Sequence, residues 1–178
     1  MPAGLAGTVL PAPRPLGPFH LIDQDGLPFD RARLEGKWSF LFFGYTHCPD
    51  VCPMTLATLR RIREHLAAHP NGLDGTQFVF VSVDPERDTP AQLKSYVTYF
   101  GQGFLGATGA DDQLQAITRP LGALYARPAE SSGGEYAVDH TAAIFLIDPG
   151  AGFHALFSSP HEAEAIARTF LEIRRREP

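Results

Sequence analysis

The chain alternates between short continuous apolar runs and longer stretches in which apolar residues recur at helical spacing. The apolar runs are rich in aromatic or β-branched residues, and this pattern predicts buried strands. The helical stretches contain residues suited to a helix start, such as Thr89 as a cap followed by Pro90. The predicted strands cover 37–45, 77–84, 141–148 and 153–159, and the predicted helices cover 53–69, 88–100, 111–126 and 160–177, with Pro120 interrupting the third.

Two tight turns predict β-hairpins. The first lies between short apolar stretches within 19–30, around Asp25 and Gly26. The second joins the last two predicted strands through the glycine-containing turn 148–152. Residues 1–18 contain five prolines, so they are expected to form a flexible or extended lead-in to a domain at 19–178.

The order of elements predicts an α/β fold, with helices covering a mixed central sheet and a β-hairpin at its N-terminal end. Two topologies fit. In a parallel, flavodoxin-like sheet, the strand after His140 would start at the edge opposite Cys48, about 20 Å away. In a thioredoxin-like sheet, the closing hairpin runs antiparallel to the first two strands and brings Cys48, Asp84 and His140 to one edge. The tight turn at 148–152 favours the thioredoxin-like arrangement, because a two-strand hairpin is antiparallel.

Composition narrows the functional classes. The chain has 178 residues, 44% of them hydrophobic, which suits one globular domain. A formal net charge of −5 gives no basic surface for phosphates and therefore argues against nucleic acid as a partner. No apolar run approaches the roughly 18 to 20 residues that cross a bilayer, and residues 1–18 lack the features of a signal peptide. The domain is expected to be either cytosolic or anchored by a segment outside this sequence.

The sequence contains two cysteines, Cys48 and Cys52, with three residues between them and a proline after each. A thioredoxin-type redox pair has two intervening residues, and the wider spacing suits a metal held between two sulfurs. Two thiolates with one imidazole select Cu(I) or Zn²⁺. Cys52 is expected at a helix entrance, where unpaired N–H groups lower a thiol pKa. A structural disulfide is the main alternative, although so short a loop would stabilise the fold only weakly.

His140 precedes a buried strand and is the histidine that the thioredoxin-like topology would bring to the cysteines. His47, next to Cys48, is an alternative ligand or a group that tunes the thiol pKa. Asp84 and Asp88 both lie in a turn-like segment, and a turn or cap role is preferred for Asp88. No recognisable metal-binding or catalytic motif surrounds the remaining histidines in the sequence. They are expected to be surface or capping residues: His20, His65, His69, His154 and His161.

Three segments, FFGYTHCPDVCPMTL, VSVDPERDTP and DHTAAIFLIDP, together resemble the Sco/SenC family of copper chaperones, whose thioredoxin-like domains take part in cytochrome c oxidase assembly. The resemblance extends from about Phe19 to the C-terminal helix. It implies that Cys48, Cys52 and His140 are copper ligands and that Asp84 is a neighbour of the site. It also implies an extracytoplasmic domain, in the periplasm or on the outer face of the inner membrane, held by an N-terminal membrane anchor.

The resemblance implies that copper, as Cu(I) or Cu(II), is delivered to the dinuclear copper A centre of cytochrome c oxidase subunit II, with another copper chaperone as a potential donor. The alternative is a thiol–disulfide oxidoreductase, in which Cys48 and Cys52 form a redox pair that reduces the copper A cysteines. Thioredoxins and their peroxide-reducing relatives generally carry a proline before the strand that faces the active cysteine, whereas Thr141, Ala142 and Ala143 stand here. The absence of a proline at these positions weakens the hypothesis that the protein is a general disulfide reductase.

Overall fold

The computed structural model describes residues 6–48, 51–126 and 139–177, except for the side chains of Asp139 and His140. This part of the chain forms ten strands, four α-helices and one turn of 3-10 helix. The strands are β1 (Thr8–Pro15), β2 (His20–Asp23), β3 (Pro28–Asp30), β4 (Trp38–Gly44), β5 (Thr76–Ser82), β6 (Phe104–Thr108), β7 (Tyr125–Ala126), β8 (Asp139–His140), β9 (Ala143–Ile147) and β10 (Gly152–Ser158). The helices are α1 (Val51–Ala67), α2 (Pro90–Phe100), α3 (Asp111–Leu121) and α4 (Ala163–Arg176), and the 3-10 turn is Arg31–Arg33.

Eight of the strands form one mixed sheet in the order β1-β10-β9-β4-β5-β6-β2-β3, and β7 pairs with β8 in a separate ribbon. Strands β4, β5 and β6 are parallel to one another. Strand β9 runs antiparallel to β4, with Phe42 opposite Ile144, and β10 returns antiparallel to β9. This topology confirms the thioredoxin-like arrangement and excludes the parallel, flavodoxin-like one.

The centre of the core is β4, in which every residue from Trp38 to Gly44 is buried. Its aromatic side chains join the sheet to the helices. The Phe40 ring stacks on Phe78 of β5 with centroids 5.2 Å apart, and it meets Phe170 of α4 at 5.0 Å. Because full burial of one such side chain contributes roughly 1.5–3 kcal/mol, this cluster fixes the position of β4 in the sheet.

The helix signals in the sequence are largely confirmed. Helix α2 begins after Thr89, whose hydroxyl accepts a backbone hydrogen bond from the first turn (3.3 Å), and Pro90 is the first helical residue. Helix α1 begins two residues earlier than predicted. Pro120 lies in the last turn of α3, and that helix ends at Leu121 instead of continuing to residue 126.

Two strands of the main sheet lack a strand signal in the sequence. Strand β6 lies in a segment without a clear apolar run, and β1 lies in the proline-rich lead-in. Residues 8–15 are extended, but they pair antiparallel with β10, and Leu16 is buried beside them. Prolines are tolerated in β1 because it is an edge strand. The lead-in is therefore part of the sheet and not a separate segment that ends at residue 18.

His154 is buried, which corrects the expectation of a surface or capping role. It lies in β10 with 3% of its surface exposed, and its ring makes an edge contact with Trp38 at 5.2 Å between centroids. Because β1 adds a further strand beyond β10, β10 is an inner strand, and its residues from Gly152 to Ala155 are all buried.

Candidate metal centre

The ends of β4 and β5 and the start of β9 lie at one edge of the sheet. Cys48 follows β4 and Asp84 follows β5, and these parallel strands end side by side. His140 lies in β8, three residues before β9, which starts beside the end of β4 because the two strands are antiparallel. The topology brings the backbone positions of these three residues to the same edge. The His140 side chain lies outside the described residues, so its role as a ligand stays a prediction.

Cys48 and Cys52 occupy different environments. Cys48 precedes α1 and is partly buried, and its backbone N–H donates to the Tyr45 carbonyl oxygen (3.2 Å). Cys52 is the second residue of α1 and is completely buried. No disulfide joins them, and the two thiols are in hydrogen-bond contact. The arrangement provides two adjacent sulfurs, one on the more open side and one covered by protein.

The Cys52 sulfur lies against the backbone of Gly44, the last residue of β4. A Cβ atom at residue 44 would lie 2.6 Å from Cys52 Sγ and 2.8 Å from Phe80 Cε2. Both distances are shorter than van der Waals contact, so a larger residue would have to displace the sulfur or the ring. Glycine at this position lets the thiol pack directly against the end of the strand.

Burial raises the pKa of the Cys52 thiol well above its usual range. A hydrogen bond with the Tyr45 backbone opposes this shift without reversing it, and the neighbouring Cys48 and Asp88 add to it. The expectation that the helix start lowers this pKa is therefore wrong, because desolvation outweighs the helix dipole. Cys52 is a neutral thiol at neutral pH, and metal binding by its thiolate releases a proton.

The buried Asp88 carboxylate fixes the loop that leads to Cys48. It accepts hydrogen bonds from the Thr46 N–H (2.9 Å), the Thr46 hydroxyl (2.5 Å) and the Ser82 hydroxyl (2.5 Å). Hydrogen bonds to a charged group contribute about 1.5–3 kcal/mol each. The predicted turn role holds for the backbone, since the Asp88 N–H donates to the Asp84 carbonyl oxygen (2.9 Å). The cap role is wrong, because Thr89 caps α2 and the Asp88 side chain links the ends of β4 and β5.

Asp84 is buried just after β5, at the edge of the sheet where β4 also ends. Its carboxylate accepts a hydrogen bond from Arg87 Nε (2.5 Å), and the pair forms an ion pair. The Arg87 guanidinium also lies over the Tyr45 ring, 5.7 Å from the centroid. The Asp84 carboxylate is therefore engaged by arginine, and its role as a neighbour of the metal site stays a prediction.

His47 lies on the solvent side of the Asp88 carboxylate. Its side chain is 45% exposed, and Nδ1 is 3.6 Å from Asp88 Oδ1 and 3.3 Å from Thr46 Oγ1. These contacts make His47 an electrostatic neighbour of Asp88. Its alternative role as a metal ligand stays a prediction.

Tyr96 is a residue at this site that sequence reasoning missed. Its hydroxyl is buried and has no hydrogen-bond partner among the described residues. Burial raises the pKa of Tyr96, and the ionised forms of Cys52, Cys48 and Asp88 would raise it further, so the hydroxyl keeps its proton at neutral pH. Helical spacing offers a signal, since Tyr96 comes three residues after Leu93, a buried residue of α2.

The SCO1/SenC family model matches residues 9–174 of the chain. The chain belongs to this family. The mitochondrial SCO2 homolog of Bos taurus is 39% identical over 150 residues, covering 84% of this chain and 56% of the bovine protein. The crystal structure of yeast Sco1 with copper bound is similar with a TM-score of 0.83 and 32% identity, covering 93% of this chain and 91% of that chain. The solution structure of apo Sco1 from Thermus thermophilus has a TM-score of 0.81 and 37% identity, covering 97% of this chain and 96% of that chain.

The match to the SCO1/SenC family covers more than the three sequence motifs. It begins within β1 and ends in α4, so the strand formed by the lead-in is included. This Sco chain spans little more than half of the bovine relative. None of the helices in its described residues is both long and apolar enough to cross a bilayer.

Replacing Gly44 by alanine is expected to destabilise the protein by about 1–3 kcal/mol, because the added methyl group overpacks the space between Cys52 and Phe80. Chemical denaturation of the reduced protein measures the effect. Gly17→Ala is the matched control, since a Cβ atom there meets nothing within 4 Å. Equal stability of the two variants would show that the packing of Cys52 does not need a glycine at residue 44.

Replacing Tyr96 by phenylalanine is expected to leave the free energy of unfolding unchanged or to raise it by up to about 1 kcal/mol. The change removes a buried hydroxyl without a partner and keeps the ring contact with Phe80 at 5.4 Å. Urea denaturation provides the measurement, and Tyr99→Phe on the exposed side of α2 is the control. A loss of stability confined to Tyr96→Phe would mean that the hydroxyl forms a stabilising hydrogen bond, contrary to this expectation.

Proposed function

We propose that this Sco protein binds one copper ion through Cys48, Cys52 and His140 and delivers it to the copper A centre of cytochrome c oxidase subunit II. The observation that carries the proposal is the pair of adjacent thiols at the sheet edge where β9, the strand after His140, begins. Two sulfurs and one imidazole form a donor set that favours Cu(I). The copper-bound structure of yeast Sco1, on the same fold, supports the proposal.

The donor set suits a transported ion better than a structural one. Structural zinc sites take four protein ligands, whereas three ligands leave the coordination shell incomplete. Cys52 holds the ion on the buried side, and Cys48 lies toward the surface. An incoming thiolate of the acceptor can therefore bind the copper from the Cys48 side before the bond to Cys52 breaks.

Exposed apolar side chains near this edge suit contact with a protein acceptor. Val51 and Met54 are exposed in the first turn of α1. Leu124 is 78% exposed and precedes β7, which pairs with the strand that contains His140. A protein that covers these side chains would bury apolar surface and exclude water from the ion during transfer.

The proposed place of action is outside the cytoplasm, on the membrane face to which the copper A domain is exposed. A membrane anchor would hold the domain close to the oxidase, and another copper chaperone would supply the ion. The mitochondrial location given for the bovine relative supports this placement.

The same dithiol supports a second candidate function, the reduction of a disulfide between the copper A cysteines. The difference in exposure favours it, since Cys48 is accessible to a partner and the adjacent Cys52 is covered. The Cys48 thiolate would attack one partner sulfur, and Cys52 would then displace that sulfur. The partner gains two thiols and this protein gains a disulfide, so the electrons balance. Delivery is preferred because the donor set also suits copper.

The reduced protein is expected to bind one copper with two sulfur ligands and one nitrogen ligand, as measured by X-ray absorption. Replacing a residue that only hydrogen-bonds to a metal ligand typically weakens metal binding about 10- to 100-fold. His140→Ala should weaken copper binding by more than this, while Cys48 and Cys52 still form a disulfide. Copper affinity should also rise with pH, because binding releases the proton of Cys52.

The neighbouring His47 provides the control for this measurement. His47→Ala should change copper affinity much less than His140→Ala, since His47 is exposed and faces Asp88. A larger loss in His47→Ala would make His47 the nitrogen ligand. Copper coordination without sulfur would contradict the proposed site altogether.

Transfer assays with a copper A domain separate delivery from reduction. Copper-loaded protein is expected to metallate the reduced domain. Cys52→Ala is expected to trap little mixed disulfide with the oxidised domain, and Cys48→Ala, which removes the exposed sulfur, provides the background level. Efficient trapping by Cys52→Ala alone, together with no copper transfer from the wild type, would establish reduction as the function and reject delivery.

A further inference from the structure

We propose that Asp148, His154 and Glu177 form a second metal site, which binds a divalent cation of the Zn²⁺ class at the end of the sheet opposite the cysteines. Asp148 follows β9, His154 lies in β10 and Glu177 follows α4. One ligand atom from each residue lies within 4.8 Å of the other two. The site is independent of the proposed copper site, because β4 spans seven residues between the two ends, or about 20 Å.

The first observation is the state of His154. Its side chain is 4% exposed, and its Nδ1 atom is buried without a hydrogen-bond partner among the described residues. A buried polar atom without a partner is unfavourable, and a bound ion is one of the recognised explanations for such an atom. Nδ1 faces two carboxylates instead, Asp148 Oδ2 at 3.6 Å and Glu177 Oε2 at 3.7 Å.

These distances are too long for good hydrogen bonds but suit a shared ion. A hydrogen bond between nitrogen and oxygen spans about 2.7–3.2 Å. Zinc binds nitrogen and oxygen at about 2.0–2.2 Å in tetrahedral sites, which places neighbouring ligand atoms roughly 3.3–3.6 Å apart. Nδ1 is therefore within a few tenths of an ångström of this separation from each carboxylate oxygen. The ligand atoms of the two carboxylates lie within 4.8 Å of each other, so a movement of up to about 1.5 Å would bring them to the same separation. Glu177 can supply this movement, because its side chain is 48% exposed.

The Asp148 carboxylate is held in position by the turn between β9 and β10. Its Oδ1 atom accepts hydrogen bonds from the N–H groups of Gly150 (2.9 Å) and Gly152 (2.8 Å). Oδ2 is the oxygen that faces His154. One oxygen thus orients the group while the other is placed to bind a cation, as metal ligands require.

The charge of the three ligands and the volume of the neighbouring cavity also support a cation site. Two carboxylates and one imidazole suit Zn²⁺, whereas Mg²⁺ and Ca²⁺ prefer sites built from oxygen alone. A cavity of about 450 Å³ borders Asp148 and Glu177 and leaves room for a water molecule as a fourth ligand. Arg174 also lines this cavity, but its guanidinium donates to the carbonyl oxygens of Asn71 and Gly72. The two carboxylates outweigh its single positive charge.

The test uses a Cys48→Ser/Cys52→Ser variant of the full chain, in which the sulfur ligands are absent. Titration with Zn²⁺ against a chromophoric chelator is expected to show one bound ion. Glu177→Gln should lower the affinity at least tenfold, because it replaces a charged ligand. Glu172→Gln changes a partly exposed glutamate within α4 and should leave the affinity unchanged. His154→Ala should abolish binding, and the exposed Glu177 keeps the test decisive if that buried substitution prevents folding.

Trp38 offers a second, local measurement. It is the single tryptophan of the chain, and its ring lies 5.2 Å from the His154 ring. Cu²⁺, which also accepts imidazole and carboxylate ligands, should quench Trp38 fluorescence in the sulfur-free variant. Glu177→Gln should shift this quenching to at least tenfold higher Cu²⁺ concentration, and Glu172→Gln should not.

Three results would overturn the proposal: no Zn²⁺ bound, the same affinity in Glu177→Gln as in its parent, or an equal loss in Glu172→Gln. Failure of the copper proposal would leave these measurements unaffected, because the titrated variant carries no cysteine ligand. Conversely, loss of Zn²⁺ binding here would say nothing against copper binding at Cys48 and Cys52.

Discussion

The antiparallel pairing of β9 with β4 is the constraint on which both proposed sites depend. It places the residues before β9 next to those after β4, and the residues after β9 next to the start of β4. The first juxtaposition brings the His140 backbone to the edge that carries Cys48. The second brings Asp148 to the end where Trp38 meets His154. In a sheet with β9 parallel to β4, these groups would lie at opposite ends.

The fold leaves one of the two thiols partly exposed and buries the other. Cys52 is covered because Gly44 leaves room for its sulfur, and the resulting burial keeps it protonated. The Asp88 carboxylate meanwhile holds the Thr46 backbone, so the loop leading to Cys48 is fixed while Cys48 itself stays partly open. A metal that binds here must displace a proton from a buried thiol, and binding is therefore coupled to pH.

The sequence alone predicted the strands and turns whose signals lie within a few neighbouring residues. Continuous apolar runs predicted the central strands, and the tight turn at 148–152 predicted the antiparallel closure. The role of Asp88 could not be predicted, since its partner Thr46 lies 42 residues away and a turn residue has the same local pattern. The burial of His154 was missed for a related reason. It depends on contacts of the His154 ring with Trp38 and with Glu177 at the end of α4, both of which lie far from His154 in the sequence.

The two ends of the sheet differ in how oxidation affects them. Disulfide formation between Cys48 and Cys52 consumes both sulfur ligands and therefore removes the proposed copper site. Asp148, His154 and Glu177 contain no sulfur, so the same oxidation leaves their ligand atoms unchanged. An ion bound there would continue to join the end of α4 to the β9–β10 hairpin. Copper release on oxidation would then leave the other end of the fold joined, because the ligands of the two sites lie at opposite ends of the buried strand β4.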